Sequence, residues 1–290
     1  MSAEAARGHL AALARMGVRP EAVHIGGGEP FGDFPRLLAV VRAAREVGLD
    51  GVGYVETSGV WAVSDREVRA RLEALAAAGM RQLAISADPY HQEFVPPERL
   101  RRLYRTAREV LGPGGVRARR WRWLQAPQNL AHLAEPQRRR LFAEWLRRYP
   151  ERMTGRAAEA LSPLVPRTPL EQLDARPCPR ALAGADHVHI LPGGGVYPGT
   201  CAGLLLGRAD AETPLDEVIR RSRLRPPPTA ALLAERGPAG LLAEARRLGF
   251  APDPQGYADA CHLCWSLRRF LVRRGAAPAD VGPTELYESP

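Results

Sequence analysis

The stretch that decides the fold is VHIGGGEPF, residues 23–31. A short apolar strand is followed at once by three glycines, and a helical pattern begins at residue 34. In such a strand–turn–helix unit, the glycine peptide groups can approach a ligand without obstruction by side chains. The spacing differs from G-x-G-x-x-G, so it does not predict a dinucleotide fold. A tight turn without a ligand is the alternative interpretation.

Outward from this turn, short apolar runs alternate with longer amphipathic ones, which predicts βα units and a parallel sheet. The predicted strands lie at 22–25, 52–56, 82–86 and 116–124, and the predicted helices at 3–16, 34–47, 65–78, 97–111 and 136–149. Functional residues are expected where these strands end. Because the pattern opens on a helix, we expect a strand to precede it in the complete fold.

The second half of the chain has a different composition. A segment rich in Pro and Arg at 166–180 predicts a linker, and all four cysteines follow residue 177. We therefore predict a barrel-like domain at 1–165 and a small cysteine-containing extension at 166–290.

Composition restricts the function. All 41 basic residues are arginines, so Schiff-base chemistry and Walker-type phosphate binding, which need lysine, are not expected. The formal charge is +9, but 32 acidic residues lie among the arginines, so we expect solvated helix faces rather than nucleic-acid binding. No apolar run is long enough to cross a bilayer and no signal peptide precedes the first helix, which predicts a cytoplasmic protein without a membrane partner.

Three phrases at the strand ends resemble radical S-adenosylmethionine enzymes. They are GGEP at 27–30, YVETSG at 54–59 and ISADPYHQEFVP at 85–96. The resemblance implies an α/β fold, a partial (β/α)6 TIM-like barrel missing its first strand. It also implies that Gly27, Gly28 and Glu29 receive the methionyl ammonium of S-adenosyl-L-methionine.

The same resemblance assigns cofactor contacts to Thr57, Ser86 and Asp88. Each also has a simpler interpretation, because Ser, Thr and Asp at strand ends commonly cap the following helix. The carboxylates of Glu29, Glu56 and Asp88 also suggest a site for a hard cation, which prefers oxygen ligands. His91 is a candidate proton carrier in catalysis, although a lone histidine after a turn is usually a hydrogen-bonded surface residue.

The family's C-x3-C-x2-C loop has no counterpart before Cys178. In the family this loop holds the 4Fe–4S cluster that reduces S-adenosylmethionine to a 5′-deoxyadenosyl radical. Either the loop lies upstream of Met1, in a longer gene product, or the chain is a non-catalytic relative of the same fold. The first explanation predicts a radical enzyme, and the second predicts a binding protein with a metal site.

The four cysteines predict a metal site, because disulfides are rare in a reducing cytoplasm. Cys261 and Cys264 form C-x2-C at a predicted helix start, and Cys178 and Cys201 flank a predicted hairpin. A turn and a hairpin can bring four thiolates together, for zinc or for iron–sulfur. His187 and His189 lie on one side of a strand and are alternative ligands or packed side chains.

The segment GVYPGTC, followed by PLDEVI and the late C-x2-C, resembles the SPASM and twitch extensions that bind auxiliary 4Fe–4S clusters. The resemblance implies one auxiliary cluster on Cys178, Cys201, Cys261 and Cys264, an oxidoreductase activity on a peptide or other large substrate, and an electron donor such as ferredoxin or flavodoxin. A zinc-stabilised α/β hydrolase or transferase is a further hypothesis, which no G-x-S-x-G or HExxH motif supports.

Overall fold

The computed structural model describes residues 1–125, 130–179, 182, 187–199 and 201–288. The chain forms two compact units, residues 1–138 and 139–290. Each unit has its own cluster of buried apolar side chains. The division between the units lies N-terminal to the boundary predicted near residue 165.

The first unit is an α/β structure. Its helices are α1 (Ala3–Arg15), α2 (Phe34–Glu46), α3 (Asp65–Ala78), α4 (Pro89–Gln92), α5 (Pro97–Leu111) and α6 (Trp121–Gln125). Its strands are β1 (His24–Ile25), β2 (Val52–Thr57), β3 (Met80–Ser86) and β4 (Val116–Arg119). Helix α7 (Glu135–Arg148) begins in this unit and ends in the second.

Local chemistry explains the helix bounds. Ser64 caps α3 by accepting a hydrogen bond from the backbone N–H of Glu67 at 3.2 Å. Gly79 ends the same helix at φ +113°, a conformation that glycine adopts readily. Helix α5 starts with Pro97 in its first turn, where a missing N–H removes no intrahelical bond. The predicted bounds of α3 and α5 are confirmed.

The four strands form one parallel sheet in the order β1-β2-β3-β4. Neighbouring helices contact one another in chain order, α1 with α2, α2 with α3, and α3 with α5. Right-handed connections between successive parallel strands place their helices on one side of the sheet. The sheet is therefore wound in one direction, with a single helical layer.

The two faces of this sheet differ in polarity. The register aligns Ile25, Val55, Leu83 and Val116 on the face that belongs to the buried apolar cluster. Alternation places a polar set on the opposite face, namely His24, Tyr54, Glu56, Gln82, Ser86, Arg117 and Arg119. A parallel sheet covered by helices on both faces would be apolar on both, so this sheet has one face available for polar interactions.

One sequence prediction is wrong. The strand predicted at 116–124 ends at Arg119, and residues 121–125 form the short helix α6. Arg120, between them, has φ +61°, the left-handed conformation that breaks an extended strand. The alternating arginines and tryptophans of this segment therefore mark a strand end, and not a longer strand.

The second unit is mainly helical. Its helices are α8 (Arg156–Ala160), α9 (Leu215–Leu224), α10 (Pro228–Arg247), α11 (Ala260–Arg273) and α12 (Thr284–Glu288). A small antiparallel sheet is formed by β5 (Val188–Ile190), β6 (Gly195–Pro198) and β7 (Gly207–Arg208). Strands β5 and β6 are the predicted hairpin, and Cys261 lies in the first turn of α11, as the C-x2-C spacing predicted.

Candidate functional site

The glycine loop leaves its peptide groups accessible. Gly27 and Gly28 have φ +82° and +56°, which favour glycine over any other residue. A Cβ atom built at either position would meet no other residue within 4 Å. Their conformation is therefore the reason for glycine here, and the surrounding space is available to a ligand.

Glu29 joins two of the turns. Its carboxylate accepts hydrogen bonds from Thr57 Oγ1 and from the backbone N–H of Ser58, both at 2.8 Å, and from the hydroxyl of Ser58. It also accepts a bond from the N–H of Phe31 at 3.1 Å. With its oxygens engaged in this way, Glu29 holds the first βα turn against the second.

Thr57 is similarly committed. Its hydroxyl is buried, donates to Glu29, and accepts from the N–H of Gly59 at 3.0 Å and from Trp61 Nε1 at 2.9 Å. In this arrangement Thr57 positions the turn, and the accessible backbone of Gly27 and Gly28 is the better candidate for ligand contact.

The third turn holds a charged pair. Asp88 accepts a hydrogen bond from the backbone N–H of His91 at 3.1 Å, which caps α4. Both Asp88 carboxylate oxygens lie 2.8 Å from His91 Nδ1. The hydrogen bond to Asp88 raises the pKa of His91 above its ordinary value, against the effect of burial. Burial alone would raise the pKa of Asp88, but the hydrogen bond and charge of His91 lower it.

A second pair lies on the polar face of the sheet. Arg119 Nη1 donates to Glu56 Oε1 at 2.7 Å, and a Cβ at Gly26 would lie 3.2 Å from Glu56 Oε2. Ser86, 8% exposed, is aligned with Arg119 in the register. The charge of Arg119 lowers the pKa of His91 and that of Glu56 raises it, both less than the hydrogen bond to Asp88 does. Arg119 was not predicted, although its alternation with Arg117 indicates a shared face.

Three carboxylates that the sequence placed at strand ends have separate partners. Glu29 bonds Thr57 and Ser58, Glu56 bonds Arg119, and Asp88 bonds His91. Within the described ranges, no three His, Cys, Asp or Glu side chains are grouped so as to hold a metal ion.

This holds for the four cysteines too, but all four line one cavity of about 40 Å³ in the second unit. The other lining residues are mostly apolar, with two arginines and one threonine: Arg152, Thr154, Leu182, Leu204, Leu233, Pro238, Ala260 and Arg268. All four thiols are free and partly buried. Three segments that are far apart in sequence thus contribute cysteines to the wall of one cavity.

A break in α10 positions Cys178. Gly237 has φ +63° and ψ −166° inside this helix, and Pro238 has no N–H to donate. The carbonyl of Leu233, which an unbroken helix would pair with the N–H of residue 237, instead accepts the N–H of Cys178 at 3.0 Å. Pro238 itself lines the cavity.

The other cysteines are positioned by turn and helix chemistry. The N–H of Cys201 donates to the carbonyl of Pro198 at 3.0 Å in the turn after β6. Asp259 caps α11 by accepting the N–H of His262, which sets the first turn that carries Cys261 and Cys264. Asp259 also accepts the N–H of Met153 at 3.2 Å, next to Arg152 and Thr154 of the cavity wall.

Arg268 is a buried cation beside these thiols, at 3% exposure. It donates to the carbonyls of Ala202 and Cys264 and to the hydroxyl of Tyr287, all of which are neutral. In the described part of the chain it makes no ion pair with a carboxylate. Burial opposes its charge, but the nearby Cys264, Tyr287 and Cys201, taken as anions, raise its pKa.

Burial disfavours the thiolate form of three of these cysteines. Burial raises the pKa of Cys178 and of Cys201, and it raises that of Cys261 to about 12. Arg152 acts in the opposite direction on all three. The buried hydroxyl of Thr154 has no hydrogen-bond partner among the described residues. Thiolates held by a metal would supply the negative charge that Arg268 lacks.

The histidines considered as further ligands lie elsewhere. His187 and His189 have ring centroids 5.1 Å apart, edge to face, and neither is among the residues that line the cysteine cavity. Arg268 and Thr154 were missed by sequence reasoning, and neither has a pattern that marks it.

Two comparisons with known proteins find no match. The chain matches no protein-family model and shows no significant similarity to a curated protein. Through the ranges described by the structure, no helix combines the length and apolar character needed to span a membrane.

Proposed function

We propose that this protein is an iron–sulfur protein of the radical S-adenosylmethionine type. In this proposal Cys178, Cys201, Cys261 and Cys264 hold one 4Fe–4S cluster, and the carboxyl edge of the parallel sheet binds S-adenosylmethionine. The observation that carries the proposal is that all four cysteines of the sequence line one cavity, with a buried arginine beside them.

The donor set fits a cluster. Thiolates are the ligands of iron–sulfur centres, and four of them complete the ligation of one 4Fe–4S core. Four thiolates around such a core leave net negative charge, which Arg268 and Arg152 would neutralise. The leucines of the cavity wall would keep water away from the thiolates.

When bound, such a cluster supplies a site for electron transfer or for substrate coordination. Around it, Arg268 would hold positive charge against Cys264, and Thr154 would offer its hydroxyl as a hydrogen-bond donor to a sulfur. A peptide or other large substrate, and ferredoxin or flavodoxin as electron donor, remain predictions for this protein.

The sheet supports the cofactor half of the proposal. A parallel sheet wound in one direction, with helices in one layer and polar side chains on the other face, is the arrangement of a (β/α) barrel segment. The proposed fold is therefore a partial (β/α)6 barrel. Gly27 and Gly28 would present their peptide groups to the methionyl part, with Glu29 and Thr57 holding the turns and Ser86 and Asp88 at the neighbouring strand ends.

The experiment is anaerobic reconstitution of the full chain with iron and sulfide, followed by metal and sulfide analysis. We expect about four iron and four sulfide per chain, the composition of one 4Fe–4S cluster, and a paramagnetic signal on reduction. Replacing Cys261 or Cys264 by serine should reduce the iron content severely, because serine is a poor ligand for this site.

The matched control is His187→Asn, which removes a potential ligand on the neighbouring hairpin but outside the cavity. It should retain the full iron and sulfide content. A measured content of one zinc per chain without sulfide would show that the site is a structural zinc site and not a cluster. Full iron retention in both cysteine variants would contradict the proposed ligand set.

A further inference from the structure

The second unit contains a larger cavity of about 490 Å³ that includes none of the four cysteines. Its volume falls within the range of small-molecule sites, about 300–1,000 Å³. Helix α11 contributes most of the wall, through His262, Trp265, Ser266, Arg269, Phe270 and Arg273. Residues of the α8 region and of the loop after α10 complete it, namely Ala158, Glu159, Ser162, Pro163, Arg167 and Phe250.

The wall carries an excess of positive charge. Three arginines and one glutamate line the cavity, and Arg269 pairs with Glu159 at 3.0 Å. Arg167 pairs with Asp253 at 2.7 Å. Arg273 is exposed and makes no ion pair with any residue that the structure describes. It is the cation of this wall that a ligand anion could neutralise.

His262 also lies in this wall, but one of its ring nitrogens is already engaged as an acceptor. Its Nδ1 accepts the N–H of Ala258 at 3.2 Å, as expected of a neutral ring. The charge excess of the wall therefore comes from the arginines.

Two donors of wall residues are enclosed by protein atoms. Trp265 is 2% exposed, and its Nε1 has no hydrogen-bond partner among the described residues. The Nε of Arg269 is also buried without a partner in that part of the chain. A ligand in the cavity would therefore meet the accessible Arg273 rather than these two nitrogens.

An apolar surface lies beside these donors. Phe250 and Phe270 are both partly buried, and their ring centroids are 5.2 Å apart in an edge-to-face arrangement. A flat ring inserted in the cavity would contact them and lose little conformational entropy. The cavity thus combines one exposed cation, Arg273, with two aromatic rings on one wall.

We infer that this cavity binds a small organic anion, a carboxylate or a phosphate, that carries a flat apolar ring. Arg273 holds the anionic end, and Phe250 and Phe270 contact the ring. This site goes beyond the proposed cluster function and does not depend on it.

The test is calorimetric titration of the full chain with phenyl phosphate, benzoate and the uncharged benzyl alcohol. Saturable binding of at least one anion is expected, with benzyl alcohol at least tenfold weaker. The stronger of the two anions assigns the site to phosphates or to carboxylates. Equal binding of benzyl alcohol and the anions, or no saturable binding, would overturn the inference.

The variant is Arg273→Gln, which removes an exposed side chain and should leave the fold intact. It should weaken binding of the preferred anion by about tenfold or more, the range of one charge-assisted hydrogen bond, and Arg273→Lys should recover part of the loss. Arg247→Gln, an exposed arginine of α10 outside the cavity, should bind as the native chain does. Equal losses in both glutamine variants would show a general charge effect and overturn the site.

A second variant tests the cavity by shape. Ser266→Leu should fill the space beside Trp265 and abolish binding, with an unchanged circular dichroism spectrum. Undiminished binding would contradict the location. Iron and sulfide content, measured on the same samples, reports separately on the cluster.

Discussion

At the residue scale, the Asp88–His91 pair illustrates how one short contact makes two ionisations depend on each other. The folded pKa of Asp88 is lowered, so its contribution to stability is present above its unfolded pKa, 3.8, and is lost as pH falls through the folded value. The folded pKa of His91 is raised, so its contribution is full below its unfolded pKa, 6.5, and is lost as pH rises through the folded value.

We therefore predict that His91→Asn destabilises the protein most between about pH 4 and 6.5, where both partners of the native pair are charged. His91 is 43% exposed at its side chain, so the effect should be about 0.5–1 kcal/mol. Urea unfolding at pH 5 and at pH 8 measures it. His132→Asn, an exposed histidine in the same unit, should show no such difference, and a pH-independent loss in His91→Asn would contradict the assignment.

At the element scale, the break in α10 connects a sequence feature with the cysteine cavity. A Cβ at Gly237 would lie 2.3 Å from the carbonyl oxygen of Arg176, two residues before Cys178. The backbone carbonyl of Arg176 cannot move aside as the end of a flexible side chain can. In addition, the φ of +63° at Gly237 is unfavourable for alanine.

We predict that Gly237→Ala lowers the free energy of unfolding by about 2–3 kcal/mol and reduces the iron content after reconstitution. Denaturant unfolding and metal analysis on the same protein measure the two effects. Gly8→Ala is the control, since Gly8 lies inside α1 with nothing within 4 Å of a Cβ. That substitution should stabilise by about 0.5–1 kcal/mol, and a similar gain in Gly237→Ala would refute the role of the break.

At the scale of the whole molecule, the two proposed ligands belong to different units. Hydrogen exchange followed by mass spectrometry should separate them. S-adenosylmethionine should protect the amides near residues 26–29, 57–59 and 86–91, and cluster loading should protect those near 178, 201 and 261–264.

The control is Gly28→Ala, which places a side chain at φ +56° and should remove the protection by S-adenosylmethionine without changing that by the cluster. Protection by S-adenosylmethionine confined to residues 139–290 would contradict the site on the sheet.

Much of the fold could be predicted from the sequence because helices and strands have local periodicities. The helices Asp65–Ala78 and Pro97–Leu111 lie where their apolar spacing and capping residues placed them. The strand beyond Arg119 was predicted wrongly, because the alternation of arginine and tryptophan does not reveal the left-handed Arg120.

The sequence by itself determined the alternating α/β pattern, the hairpin, the glycine turn and the spacing of the four cysteines, since each is a matter of local spacing or residue type. Only the tertiary structure decided that Cys178, Cys201 and the Cys261–Cys264 pair line one cavity, with Arg268 beside them. It alone also grouped Arg273 and Arg269 with Phe250. These groupings depend on packing between segments distant along the chain, and a helical or strand period carries no information about such distances.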